Sequence, residues 1–156
     1  MTYQKILVAL DQSKYSEAVF QQALNMADKE KTTLMLFHCL SVDGNATPYT
    51  NLYGQELTSF SLSDYLEEEI KSVEKWLTDY VQQAQEQGIK CEYLWKIGEP
   101  SSWVREIAKS WQADLVILGR RGLSGLAEFF LGSVSNHVLH HVNCSVLIVQ
   151  ETKNSK

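Results

Sequence analysis

Four of the eight glycines fall between positions 119 and 132, as Gly119, Gly122, Gly125 and Gly132, and the last is followed by Ser133. Glycine tolerates positive φ and close backbone approach, so a loop rich in it can turn several main-chain N–H groups onto one anion. The helix expected from Ser133 adds its unpaired N–H groups and the positive end of its dipole. Two of the three arginines, Arg120 and Arg121, sit in the same loop, and Ser133 and Ser135 place hydroxyls at the start of the helix. These are the parts of a phosphate cradle. The competing reading is a plain connection pinned by Leu126, Phe129, Phe130 and Leu131, with Ser133 acting only as a helix cap. Context favours the cradle, because the loop leaves an apolar strand and opens onto a helix.

Other reactive side chains offer less. Asp11 ends the first apolar run and stands at a strand's carboxyl edge, where a phospho-accepting receiver domain also keeps an aspartate. A receiver needs neighbouring acids for magnesium, whereas Leu10 precedes Asp11 and the third strand ends in Trp95, Lys96 and Ile97. Asp11 could assist a metal-bound water, so at most slow hydrolysis is expected. His137 and His141 have the i, i+4 spacing of a metal pair but lack the glutamate of an HExxH site and any evident third ligand. Cys39, Cys91 and Cys144 form no CxxC pair and read as small core residues of a reducing compartment. Trp76, Trp95, Trp103 and Trp111 are spread over several elements without a basic groove, which suits packing better than base stacking.

These groups must be held by a scaffold, and its pattern is regular. Apolar runs at 6–10, 33–40, 115–118 and 146–149, with the alternating stretch Cys91, Tyr93, Trp95, read as strands. Between them lie helical periods: Val19, Ala23 and Met26 after a cap at Ser13; Leu66, Ile70, Val73, Leu77 and Ala84 after a capping pattern at Asp64 and Glu67, stopping at Gly88; Val104, Ile107, Ala108 and Trp111 after Pro100; and a short helix from Ser133. Residues 41–61 show no sustained period and are expected to form a lid or a surface excursion. Strand and helix in alternation predict an α/β three-layer sandwich around a five-stranded parallel sheet, with functional loops at the strands' carboxyl ends.

At 156 residues the chain is long enough for one domain, expected over 1–150 with a polar tail at 151–156. A net charge of −5 disfavours duplex nucleic acid as partner, and no stretch approaches the ~18–20 apolar residues of a membrane span. The opening MTYQKILVALDQS lacks the apolar length of a signal peptide, so a cytoplasmic location is expected. The last strand carries no proline or charge between Asn143 and Gln150, which leaves an edge open to pairing and predicts a homodimer.

Neither GxxxxGK[ST] nor GxGxxG occurs. The spacing Gly119-x2-Gly122-x9-Gly132-Ser133 instead closely resembles the ATP-binding signature G-x2-G-x9-G-[ST] of the universal stress protein family. The resemblance extends through KILVALDQS, HCL, ADLVILGRRG and LGSVSNHVLHHVNCSVLIV, nearly the whole chain. It implies a flavodoxin-like or HUP-type (adenine nucleotide alpha hydrolase-like) sheet that binds ATP between its first and fourth strands, with Mg2+ or Mn2+ held through the phosphates. It also implies a homodimer and a nucleotide-dependent regulator of stress tolerance acting on an unknown protein partner. The alternative it leaves is an interaction module of the same fold that binds a cyclic nucleotide or none. Position by position, Ala9 and Asp11 resemble the residues beside adenine and ribose, and Cys39 the one lining the base. Leu118, Gly119, Arg121 and Gly122 resemble the segment near ribose and phosphate, and Gly132, Ser133, Val134 and Ser135 the turn that holds the triphosphate. Arg121 stands where histidine is frequent.

Overall fold

The run KILVA has no polar side chain after its lysine, so it can be stable only between two covered faces. In the computed structural model, which describes residues 2–40, 59–120 and 132–150, it forms the middle strand of the sheet. The elements are β1 (Lys5–Ala9), α1 (Ser16–Met26), β2 (Thr33–Leu40), α2 (Ser59–Glu86), β3 (Lys90–Ile97), α3 (Pro100–Ser110), β4 (Leu115–Gly119), α4 (Ser133–His141) and β5 (Ser145–Val149). All five strands are parallel, in the order β3-β2-β1-β4-β5. The expected three-layer α/β architecture is therefore observed.

Alternation along the strands divides the core in two. Ile6 and Val8 join Leu34, Leu36 and Ile117 under α1 and α2, while Leu7 joins Phe37, Val116 and Leu118 under α3 and α4. Register ties the layers together: Leu7 lies opposite Met35 on β2 and opposite Val116 on β4. At the amino edge, the Asp114 carboxylate accepts from the backbone N–H of Gln4 at 2.8 Å and of Lys5 at 3.0 Å, setting where β1 and β4 begin to pair.

Two helix starts differ from the sequence-based expectation. Ser13 does not cap α1: its carbonyl accepts from Ser16 N and its hydroxyl from Tyr15 N, each at 3.2 Å, so a turn occupies residues 13–15 and the helix begins at Ser16. Asp64 does not open α2 either. The helix already begins at Ser59, because the four-residue spacing of Leu62, Leu66 and Ile70 carries the period upstream through the apparent capping pattern. Residues 41–58 of the expected lid lie outside the described residues.

Pro100 occupies the first turn of α3 as expected, and Glu99 caps it. Its carboxylate accepts from Ser101 N at 3.2 Å, Ser102 N at 2.8 Å and Ser101 Oγ at 2.5 Å. The Ser101 hydroxyl, then the Ser102 N–H, hold the Glu99 carboxyl down to about 2. Because this folded-state value is depressed, the stabilisation is complete above the ordinary carboxylate range and is lost as pH falls through about 2. Glu99→Ala is expected to cost about 0.5–1 kcal/mol at neutral pH, the low end for a cap since the group is exposed. In thermal melts at stepped pH, the gap from wild type should narrow between about 4.5 and about 2.

Candidate functional site

Two crossovers run from β1 to β2 and β3 on one side, and the chain then returns to β4 on the other side of β1. The crossovers that flank β1 therefore lie on opposite sides of it, and a crevice opens at the carboxyl edge between β1 and β4. It is a cavity of about 330 Å³. β1 and its exit supply Ala9 and Asp11, β2 supplies Cys39, and β4 supplies Leu118 and Gly119. Gly132, Ser133, Val134 and Ser135 close it at the start of α4. Nine of the eleven sequence-derived candidates thus line one cavity; Arg121 and Gly122 lie outside the described residues.

The backbone explains why glycine stands at two of these places. Gly132 has φ 76° and ψ 152°, a region closed to residues with a Cβ, and it is the residue preceding the first turn of α4. It carries no side chain to cap that turn, and Ser133 is the first helical residue rather than its cap, which corrects the capping alternative. The Ser133 hydroxyl is exposed, while the Ser135 hydroxyl is buried and donates to Gly119 O at 3.3 Å. At Gly119 a Cβ would come within 3.1 Å of Val19 Cγ2, so its absence lets α1 pack close against the end of β4.

The remaining walls differ in polarity. Beyond β1, Asp11 is exposed and its Oδ1 accepts from Ser13 N at 3.1 Å and Ser13 Oγ at 2.5 Å. Ser16 Oγ donates to Asp11 O, fastening the loop to the first turn of α1. Cys39 donates from Sγ to Gly98 O at 3.3 Å; burial, and then the Glu99 carboxylate, push its thiol up, so it faces the cavity as a neutral group. Arg120 also lines the cavity, and its backbone N–H donates to Val149 O at 3.0 Å.

Sequence reasoning missed His38, Tyr15, Pro100 and Glu69, all of which line the cavity. His38 is buried, with Nδ1 at 2.8 Å from Leu10 O and its ring edge-on to Trp76 at 5.2 Å between centroids. The signal for it was its place beside Cys39 at a strand's carboxyl end. Glu69 belongs to a charged run that reads as a solvated face, and only the tertiary placement of α2 brings it to the cavity. His137 and His141 stack at 4.0 Å on α4 away from the cavity lining. Among the described residues no group of three or more His, Cys, Asp or Glu could hold a metal ion.

Comparison with known proteins agrees with this architecture. The model of the universal stress protein family matches residues 2–150. A universal stress protein of Synechocystis, Sll1388, is 52% identical over 153 residues, covering 96% of this chain and 99% of that one. Among solved structures, a universal stress protein in complex with cAMP superposes with a TM-score of 0.67 at 24% identity, covering 96% of this chain and 98% of the other. An Arabidopsis thaliana family protein with AMP bound superposes with a TM-score of 0.69 at 18% identity, covering 97% of this chain and 94% of the other. At these identities the superpositions speak for the fold, while the match along the sequence speaks for kinship: the chain belongs to the universal stress protein family.

Proposed function

We propose that the cavity binds an adenine nucleotide reversibly, ATP above all, and that its occupancy regulates which partner protein the chain engages. The observation that carries this is the convergence of an apolar slot and an anion cradle in one crevice. Ala9, Cys39 and Leu118 offer flat, neutral walls for a base, Asp11 offers a carboxylate for ribose hydroxyls, and the start of α4 offers unpaired N–H groups. The signature Gly119-x2-Gly122-x9-Gly132-Ser133 supports a triphosphate at that end. The relatives with AMP and cAMP support the adenosine part, which those ligands share with ATP.

A divalent cation fits the oxygen donors here. Magnesium keeps most of its ligands as water and phosphate oxygen with one or two protein groups, and Asp11 with the Ser133 hydroxyl would supply them. The cation would neutralise phosphate charge. Turnover, if any, is slow in this reading.

A second reading, a cyclic nucleotide in the same slot, is favoured by the cAMP-bound relative. Denaturing the purified protein and identifying released nucleotide by mass spectrometry separates the two. ATP in near-stoichiometric amount is expected; cAMP, or no nucleotide together with no calorimetric ATP signal, would replace the proposal.

Ser133→Ala is the informative variant for the cradle, because the hydroxyl is exposed and has no hydrogen bond to any described residue. It should fold normally and weaken ATP binding about tenfold or more, the loss of a hydrogen bond to a charged group. Unchanged affinity by titration calorimetry would remove the α4 turn from the site. Gly132→Ala should weaken binding too, but it also costs on the order of 1–3 kcal/mol in stability, since its φ and ψ are closed to alanine.

The assembly proposed is a homodimer through β5. β5 is at the sheet edge, and no described strand pairs its outer side. Val146 packs toward α3 and α4, and Leu147 and Val149 toward α1 and α2, leaving Ile148 as the apolar residue of the strand that joins neither core cluster. Ile148→Lys is therefore expected to give a folded monomer by sedimentation velocity. A wild type that sediments as a concentration-independent monomer would end the dimer proposal.

A further inference from the structure

We infer that the outer edge of β3 docks an extended segment of a partner protein, added to the sheet as a further strand and carrying acidic residues on its α3 side. The inference concerns the partner that the reading above leaves unnamed. Its test is run without nucleotide, so that docking and the content of the cavity are decided separately.

β3 is an eight-residue strand at the end of the sheet order, and no described strand pairs its outer side. Gly98 N donates to Leu40 O at 3.0 Å, so the even-numbered residues of β3 turn their backbone to β2. Alternation then aims the N–H and C=O groups of Cys91, Tyr93 and Trp95, and the N–H of Ile97, away from the sheet. The open run stops at Ile97, whose carbonyl accepts from Trp103 Nε1 at 3.0 Å. Such a row of backbone donors and acceptors is matched by an extended backbone laid beside it.

The side chains say what that backbone must carry. On the α1 and α2 face, Tyr93 and Ile97 are two of the three exposed large hydrophobic residues among those described. Half-buried Trp95 stands between them, its Nε1 donating to Glu74 Oε1 at 3.1 Å, so this face suits apolar neighbours. On the α3 face Lys90 is exposed and Lys96 lies over the Trp103 ring at 5.2 Å, with Glu92 and Leu94 between them. Opposite charges on neighbouring strands attract, so a docked strand with a carboxylate near each end of its α3 side is complementary. The bland account is that the lysines only guard the edge against aggregation. They stand at the two ends of the strand, however, and leave Tyr93, Leu94 and Trp95 without a guarding charge. The edge also reaches the cavity, because it runs into the Gly98 turn, whose carbonyl accepts from Cys39 Sγ in the cavity wall.

The test titrates the isotopically labelled full chain, stripped of nucleotide, with the end-capped peptide Glu-Val-Thr-Val-Thr-Val-Glu. Its sequence reads the same in both directions and so fits a parallel or an antiparallel docking. Saturable amide shifts centred on β3 are expected, with slowed hydrogen exchange at Tyr93, Trp95 and Ile97 and none at Glu92, Leu94 and Lys96, whose N–H groups already face β2. Replacing both peptide glutamates by lysine should weaken binding about tenfold or more, and Lys90→Glu with Lys96→Glu should invert that preference. Tyr93→Pro takes away one outward N–H while sparing the β2 ladder, and should abolish binding in a chain whose β2 amides stay protected. No saturable binding, docking on β5 instead, or equal affinity for the acidic and basic peptides overturns the inference. So does slowed exchange at Tyr93 and Trp95 on raising the protein concentration alone, which would make the occupant a second copy of this chain.

Discussion

Everything in this molecule hangs on β1 being paired along both edges and covered on both faces. Ile6, Leu7 and Val8 have no solvent exposure, and each lies in register with β2 on one side and β4 on the other. A strand so enclosed can satisfy its backbone only through the two ladders and can carry polar chemistry only where it ends. Asp11 is placed by that condition. So is the crevice, since the crossovers that flank β1 leave in opposite directions and nothing in the sheet itself fills the gap. The amino edge obeys the same logic in reverse, with Asp114 meeting the first N–H groups of β1 before pairing begins.

Much of this was legible beforehand because buried parallel strands and amphipathic helices write strong local patterns. β2 was read at its observed limits, Thr33–Leu40, and α4 from its observed start at Ser133. Pro100 marked α3 because its ring is tolerated in a first turn. The start of α2 was misplaced because Asp64 and Glu67 look like a cap while the four-residue spacing of Leu62, Leu66 and Ile70 runs through them in the sequence. Ser13 was read as a cap for the related reason that a hydroxyl which closes a turn and one which closes a helix have the same sequence.

The site was legible only as far as it is local. The G-x2-G-x9-G-S spacing marks the α4 end of the cavity through Gly119, Gly132 and Ser133, and the strand ends mark Ala9, Asp11, Cys39 and Leu118. Glu69 and Tyr15 arrive by tertiary placement, through the packing of α2 and the turn before α1, and no periodicity encodes that. His38 lay between the two: its position at a strand end was visible, but its bond to Leu10 O and its edge contact with Trp76 required the fold.

The two core clusters are unequal. Among the described residues, 18 buried side chains lie on the α1 and α2 side and 8 on the α3 and α4 side. The cavity-lining positions Ala9, Cys39 and Leu118 pack with the smaller cluster. Mutational drift or laboratory evolution can therefore reshape that wall while drawing on a reserve of stability stored across the sheet, since residues that share no contacts contribute nearly independently. A lineage carrying this fold can change what its slot accepts without first rebuilding what keeps it folded.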